Sequence, residues 1–384
     1  MKQLAGIHVG GLLVAAAVAA IARPVLPADP ADPYYAQLAP PAARYWVYVA
    51  NESSDLVSLL RFGPEGAVLE KDIPVGIMPT DIDGAHGLTV APDGGHFYVS
   101  IAHGTPFGRL WKFETGTDLL ADSLTLGLFP ATIGITPDAA LAFVVNFNLH
   151  GDPIPSSVSA VFLPGMVEVA RIETCVKPHG SRVNREGTFA YSVCVADDQL
   201  VGISIEALQV SRRLFLAPGR ERILDGPELA SEPGAARCGP TWVIPSHDDQ
   251  ALYVACNAYG EVLEIDSETF EITRRFRSGK GPYNLAATSD GRFLLATNKG
   301  EQSVSVFDLR SGEKVARIPT TQPITHGITI SSDDRYAFVS NEAIGAVRGT
   351  VDVIDLAEPR LVASVQVHHQ PGGIDFWKME PLDN

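Results

Sequence analysis

One pattern recurs along this chain and limits what it can become. The segment GLTVAPDGGHFYVS (87–100) returns in altered form as GITPDAALAFVV (134–145), SRVNREGTFAYSV (181–193), VIPSHDDQALYVA (243–255), LAATSDGRFLLAT (285–297) and ITISSDDRYAFVS (328–340). Each copy is an alternating strand, an acidic turn and a second alternating strand, which is the signature of a β-hairpin. The turn acids Asp93, Asp138, Glu186, Asp248, Asp290 and Asp333 stand 45, 48, 62, 42 and 43 residues apart. The long interval holds an insertion rich in Gly, Pro and charge, LAPGRERILDGPELASEPGAARCGP (216–240).

Two further strands follow each hairpin. They are SVSVFDL (303–309) and KVARIPT (314–320) in one unit, TVDVIDL (350–356) and LVASVQV (361–367) in the next. Four strands per unit of about 40–50 residues make the blade of a β-propeller. Six units carry a complete hairpin. A seventh is split: WVYVANESSDLVSLLRF and AVLEKDIPVG supply three outer strands near residues 46–76, and GGIDFWKM (372–379) supplies the missing inner strand. The expected fold is all-β, a seven-bladed propeller closed by its C-terminal strand in the first blade. Closure of this kind leaves no open sheet edge. The composition agrees, with 35 Gly, 28 Pro and 46 % hydrophobic residues, as many short strands joined by turns require.

The segments YWVYVAN (45–51), SVSVFDL, KVARIPT and YAFVSN strongly resemble the YVTN-repeat propellers, the YncE-like group. The resemblance covers about residues 45–379. It implies the propeller fold and leaves the activity open, because that superfamily includes binding proteins, quinoprotein subunits and enzymes.

Outside the repeats, Lys2 precedes an uncharged stretch, Leu4 to Ala22, ending in the small-residue pattern Ala20-Ile21-Ala22. This predicts a secretion signal over 1–22, with a retained membrane anchor as the alternative. A Pro/Ala-rich linker follows over 23–44, then the propeller over 45–380. The expected location is periplasmic or extracellular. A formal charge of −16 without any Lys/Arg cluster argues against nucleic acid as a partner.

The four cysteines fit an exported chain. Cys175 and Cys238 precede inner strands, while Cys194 and Cys256 end second strands, and those two places meet at one face of a blade. Pairing within blades, Cys175 with Cys194 and Cys238 with Cys256, is therefore expected; a Cys metal site or free core thiols are the alternatives.

Aligning the hairpins on the turn acid exposes a column at the start of the inner strands: His86, Ala131, His179, Thr241, Tyr283, His326 and Gly372. Each His is followed by Gly. Inner strands line the central channel, so the three imidazoles are expected to converge from blades two, four and seven. Loops on the same face bring His103, His150, His368 and His369, with Asp81, Asp83, Arg182 and Asn284 as further polar groups. Neutral imidazole is the commonest protein ligand for copper and zinc. The column is thus a candidate metal site, with His86, His179 and His326 as ligands and His103 or His369 as additional ones. The competing reading gives the Gly a turn role and each His a hydrogen bond to a neighbouring blade. His clusters on propellers bind copper in methanethiol oxidase and nitrous oxide reductase; this chain is similar to them only in that general device, because its HG motifs do not reproduce their patterns.

Three function classes follow. The first is a non-catalytic propeller that binds a small ligand or a periplasmic protein through the His-rich face. The second is a metal-dependent redox enzyme, copper being the expected metal. The third is the propeller subunit of a quinoprotein or cytochrome complex. Hydrolase or lactonase chemistry would need carboxylates beside the His cluster, for which Asp81 and Asp83 are the sequence candidates.

Overall fold

The computed structural model describes residues 40–77, 80–103, 107–226 and 237–382. The expected signal segment and most of the linker lie outside them. Among the described residues no helix is long and apolar enough to cross a membrane.

Seven antiparallel sheets follow one another around a ring. Six have four strands ordered outward from the channel, as the repeat predicts. Blade one is composite: Pro371–Pro381 is its inner strand and Ala43–Asn51, Leu56–Gly63 and Gly66–Pro74 lie outside it. The closing register sets Ala43 opposite Pro381, Val49 opposite Ile374 and Asn51 opposite Pro371. Blade four departs from the expected four strands. The insertion at 216–240 adds a fifth, Arg222–Ile223, with Leu214 opposite Ile223 and Phe215 opposite Arg222.

Blades pack face to face, so the inner two or three strands of each are covered on both sides. This is why the second strands read as near-continuous apolar runs, whereas the outermost strands alternate. All six residues of Phe293–Asn298 are buried, but Lys314–Pro319 keeps only Ile318 inside. Aromatic stacking bridges the seam between blades one and two: Tyr48 lies 4.4 Å from Phe97, which lies 4.8 Å from Phe113.

Both expected disulfides form, Cys175–Cys194 and Cys238–Cys256, with Cα separations of 5.9 and 4.4 Å. Each ties the entry of an inner strand to the end of the second strand in its own blade. Closing loops of 19 and 18 residues contributes about 3 kcal/mol apiece in the chain-entropy estimate. Two such bonds fit an oxidising compartment outside the cytosol.

Candidate functional site

The expected column exists, and a backbone irregularity builds it. In every blade the inner strand carries one more residue than its partner at the start of the strand. Ala85 and Leu88 oppose Ile101 and Val99, and Pro178 and Ser181 oppose Cys194 and Ser192. The same shift recurs in the other five blades. An extra residue of this kind is a β-bulge, which bends the strand and re-aims the side chain it carries. His86, His179 and His326 sit at the bulges of blades two, four and seven.

The Gly after each His serves close approach. A Cβ on Gly87 would lie 1.9 Å from the Ala131 carbonyl oxygen, and one on Gly327 2.4 Å from that of Gly372. None of Gly87, Gly180 and Gly327 has a positive φ, so packing between blades takes the place of the turn role in the competing reading. Hydroxyls from neighbouring blades then pin the column's carbonyls. Ser100 donates to Ala131 (2.6 Å), Thr241 to Tyr283 (2.8 Å), Thr297 to His326 (2.8 Å) and Ser340 to Gly372 (2.7 Å); Thr132 does the same for His179.

The three imidazoles share one narrow cavity with Arg182, Trp242 and Asn284. About 20 Å³ of it is open to water, room for one or two molecules. The His86 and His179 rings lie 6.2 Å apart, and Tyr283 stands between His179 and His326, 5.5 and 4.6 Å from them. His179 has both nitrogens engaged: Nδ1–H donates to the Thr241 carbonyl (2.8 Å) and Nε2 accepts from the Tyr283 hydroxyl (3.1 Å). Burial, aided by repulsion from His86, pushes its pKa down to about 3. Burial likewise holds His326 well below the usual histidine value, with Lys299 adding to the effect. His326 Nδ1, Asn284 Oδ1 and Trp242 Nε1 are buried with no hydrogen-bond partner among the described residues.

Two carboxylates complete the mouth, and neither is among Asp81 and Asp83. Glu52 accepts from His86 Nδ1 (2.8 Å), His103 Nε2 (2.9 Å) and Gln370 Nε2 (3.1 Å). Burial alone would raise the Glu52 pKa, but the two imidazoles hold it well below the carboxylate range, and Glu52 in turn raises that of His103. Glu342 lies 3.4 Å from His326 Nε2 and 3.2 Å from Lys299 Nζ. Lys299 Nζ also sits 4.3 Å over the Tyr283 ring. The signal for these residues was present as a second column. The position just past Asn51, Asn298 and Asn341 holds Glu52, Lys299 and Glu342, so VANE (49–52) and VSNE (339–342) are one motif repeated.

The remaining sequence candidates distribute around this centre. His103 and His150 pack 5.6 Å apart and, with Phe129, line a separate hollow of about 270 Å³. His369 is tied to Ser54 and to the Ala346 carbonyl, at 3.2 Å each, and does not join the column. His368 pairs with Asp72 at 2.8 Å. Asp83 accepts the Ile77 N–H within its own loop, and Asp81 is exposed. Arg182 lies deeper in the channel than the mouth. Among the described residues, no group of three or more His, Cys, Asp and Glu is placed to hold a metal ion.

No protein-family model matches the chain, and no curated protein does. Solved structures do. Hydrazine synthase from Kuenenia stuttgartiensis superposes with a TM-score of 0.58 at 19 % identity, over 74 % of this chain and 81 % of that one. A functionally unknown protein from Desulfotomaculum acetoxidans gives 0.65 at 14 % identity, over 86 % and 98 %. The likeness is one of fold. With 1551 matching solved chains, it does not single out an activity.

Proposed function

We propose that this chain is an exported propeller of the YVTN, YncE-like kind that binds a small polar ligand or a partner protein through the His-bearing face. One observation carries this reading: imidazoles from three separate blades meet at one cavity whose wall also holds His326 Nδ1 and Asn284 Oδ1 without partners. Buried polar atoms are almost always satisfied, so such a cluster marks a place that receives water or the polar end of a ligand reaching in from the mouth. Large apolar residues are exposed in loops on the same face of blades seven, one, two and three, among them Ile77 (54 %), Ile154 (58 %) and Ile344 (70 %). Exposed apolar side chains around a polar centre suit a protein partner. Thermal-shift screening of wild type, His326→Ala and Asn284→Ala tests the ligand. A compound of this face raises the wild-type Tm and fails to move at least one variant; compounds that move all three alike place binding elsewhere.

Copper or zinc binding is the second reading, with redox chemistry as its consequence. Its support is the Glu52–His86 bond, because a metal-ligating His commonly donates its other N–H to a carboxylate. His179 would have to release Tyr283 to join. Metal content of protein isolated from the periplasm, with copper and zinc titrations of wild type and His86→Ala, decides it; equal affinities overturn the reading. A third reading makes the chain the propeller subunit of a quinoprotein or cytochrome complex, and the native mass of the protein in its own extract tests that.

A further inference from the structure

The far end of the channel is a second cavity, of about 330 Å³, lined by the lower halves of the inner strands of blades four to seven and of the closing strand. Arg182 and Ile374 border both cavities and so separate them. Three residues past the bulge column, the seven inner strands present Thr89, Gly134, Arg182, Ile244, Ala286, Thr329 and Asp375. One cation and one carboxylate therefore face this layer, from blades four and one, on opposite sides of the ring.

Their partnering is unequal. Asp375 accepts from the Val90 N–H (2.9 Å), the Phe376 N–H (2.9 Å) and the Thr329 hydroxyl (3.2 Å). Arg182 donates one hydrogen bond, to the Ser181 carbonyl (2.8 Å), and its guanidinium lies 4.8 Å over the Trp242 ring. No carboxylate touches it within 4 Å among the described residues; Asp375, across the layer, is the counter-charge that acts on it through space. A guanidinium has five N–H donors in a planar fork, and one held inside a protein is ordinarily matched to an anion. The walls beside it are mixed: Ile244, Leu285, Ile328 and Ile330 are interleaved with Ser246, Thr288 and Thr329. The outer end opens among exposed Arg185, His247 and Ser289 on the hairpin turns.

We infer that this vestibule binds a small organic monocarboxylate, its carboxylate seated on Arg182 and its apolar body against Ile244, Leu285, Ile328 and Ile330. The volume falls in the range of small-molecule sites, and the wall offers both apolar side chains and polar groups to such a ligand. Bidentate geometry favours the planar carboxylate. Asp375 in the same layer disfavours a second negative charge on the ligand. The site lies at the opposite end of the channel from the His-bearing mouth, so it stands or falls independently of the reading above.

Calorimetric titration with hexanoate tests it, with hexanol and inorganic phosphate as comparison probes. Wild type binds hexanoate one to one, and hexanol and phosphate bind much more weakly. Arg182→Gln weakens hexanoate by at least about tenfold, and Arg182→Lys by less, because the charge survives and the fork does not. Ile330→Trp narrows the vestibule without touching Arg182 and weakens binding too, which keeps the test open if the Arg182 variants misfold. Absence of wild-type binding at millimolar hexanoate, or equal affinity in wild type and every folded variant, overturns the inference.

Discussion

His179 and His326 are residues whose chemistry is strongly altered by where the fold puts them. Both are buried, and His179 is locked in one neutral tautomer between Thr241 and Tyr283. Their pKa values are lowered, to about 3 for His179, so the folded chain refuses protons that the unfolded chain takes up below about 6.5. Stability contributed by these groups is therefore complete above pH 6.5 and lost as pH falls, by about 1.4 kcal/mol per pH unit for each group well below that value. His103 works with the opposite sign. Its pKa is raised by Glu52, so its contribution is complete below 6.5 and fades as pH rises through the folded value; at 31 % side-chain exposure, solvent screens much of it. Urea unfolding at pH 7.5, 6 and 5 should show stability falling towards acid. In His179→Gln, which retains a donor for Thr241 and an acceptor for Tyr283, the fall should be shallower by about 1–2 kcal/mol between pH 6.5 and 5. Parallel slopes in the two proteins would show that His179 titrates normally when folded.

At the scale of the element, the unit that makes the site is the bulged inner strand rather than any single histidine. The extra residue turns His86, His179 and His326 into the channel, and the Gly after each lets the next blade close over it. Gly87→Ala should cost well over 2 kcal/mol, because its Cβ would meet a backbone oxygen that is itself hydrogen-bonded to Ser100. Gly94→Ala, at a hairpin turn with φ of +70° and nothing within 4 Å, should cost only about 1–2 kcal/mol of left-handed backbone strain. Comparable Tm losses in the two variants would refute the close-approach account. The contrast also shows what the sequence could reveal. Hairpin period, split blade and cysteine pairs were legible because each depends on spacing alone. The His column was legible for the same reason. Glu52 and Glu342 were passed over because a polar residue after Asn reads as an ordinary turn former, although their motif repeats. The bulge had no local signal. It is a difference in length between two paired strands, and it appears only once both registers are known. The depth of Arg182 was hidden too, since three residues past a bulge is a different level of the channel from three residues along a regular strand.

For the whole molecule, the decisive element is the strand that ends the chain. Pro371–Pro381 pairs with Ala43–Asn51 and also reaches both neighbouring blades. Asp375 takes the Val90 N–H of blade two and the Thr329 hydroxyl of blade seven, Trp377 Nε1 donates to the Gly94 carbonyl (3.1 Å), and the Gly372 carbonyl is pinned by Ser340. Truncation after Gln370 thus removes a hydrogen-bonded strand, uncovers the inner side of Ala43–Asn51 and withdraws contacts from blades two and seven together. The loss should exceed the sum of its parts, because a ring with one inner strand missing has two loosened interfaces and an open, apolar edge of the sort that pairs with other chains. The truncated protein should be aggregated or lack cooperative unfolding, while a synthetic peptide of residues 371–384 added during refolding should restore a soluble monomer by occupying the same edge. Peptides carrying Ile374→Asp should fail to do so, since Ile374 is buried opposite Val49. A truncated chain that stays monomeric and unfolds cooperatively without the peptide would mean that the ring holds together by its blade faces alone.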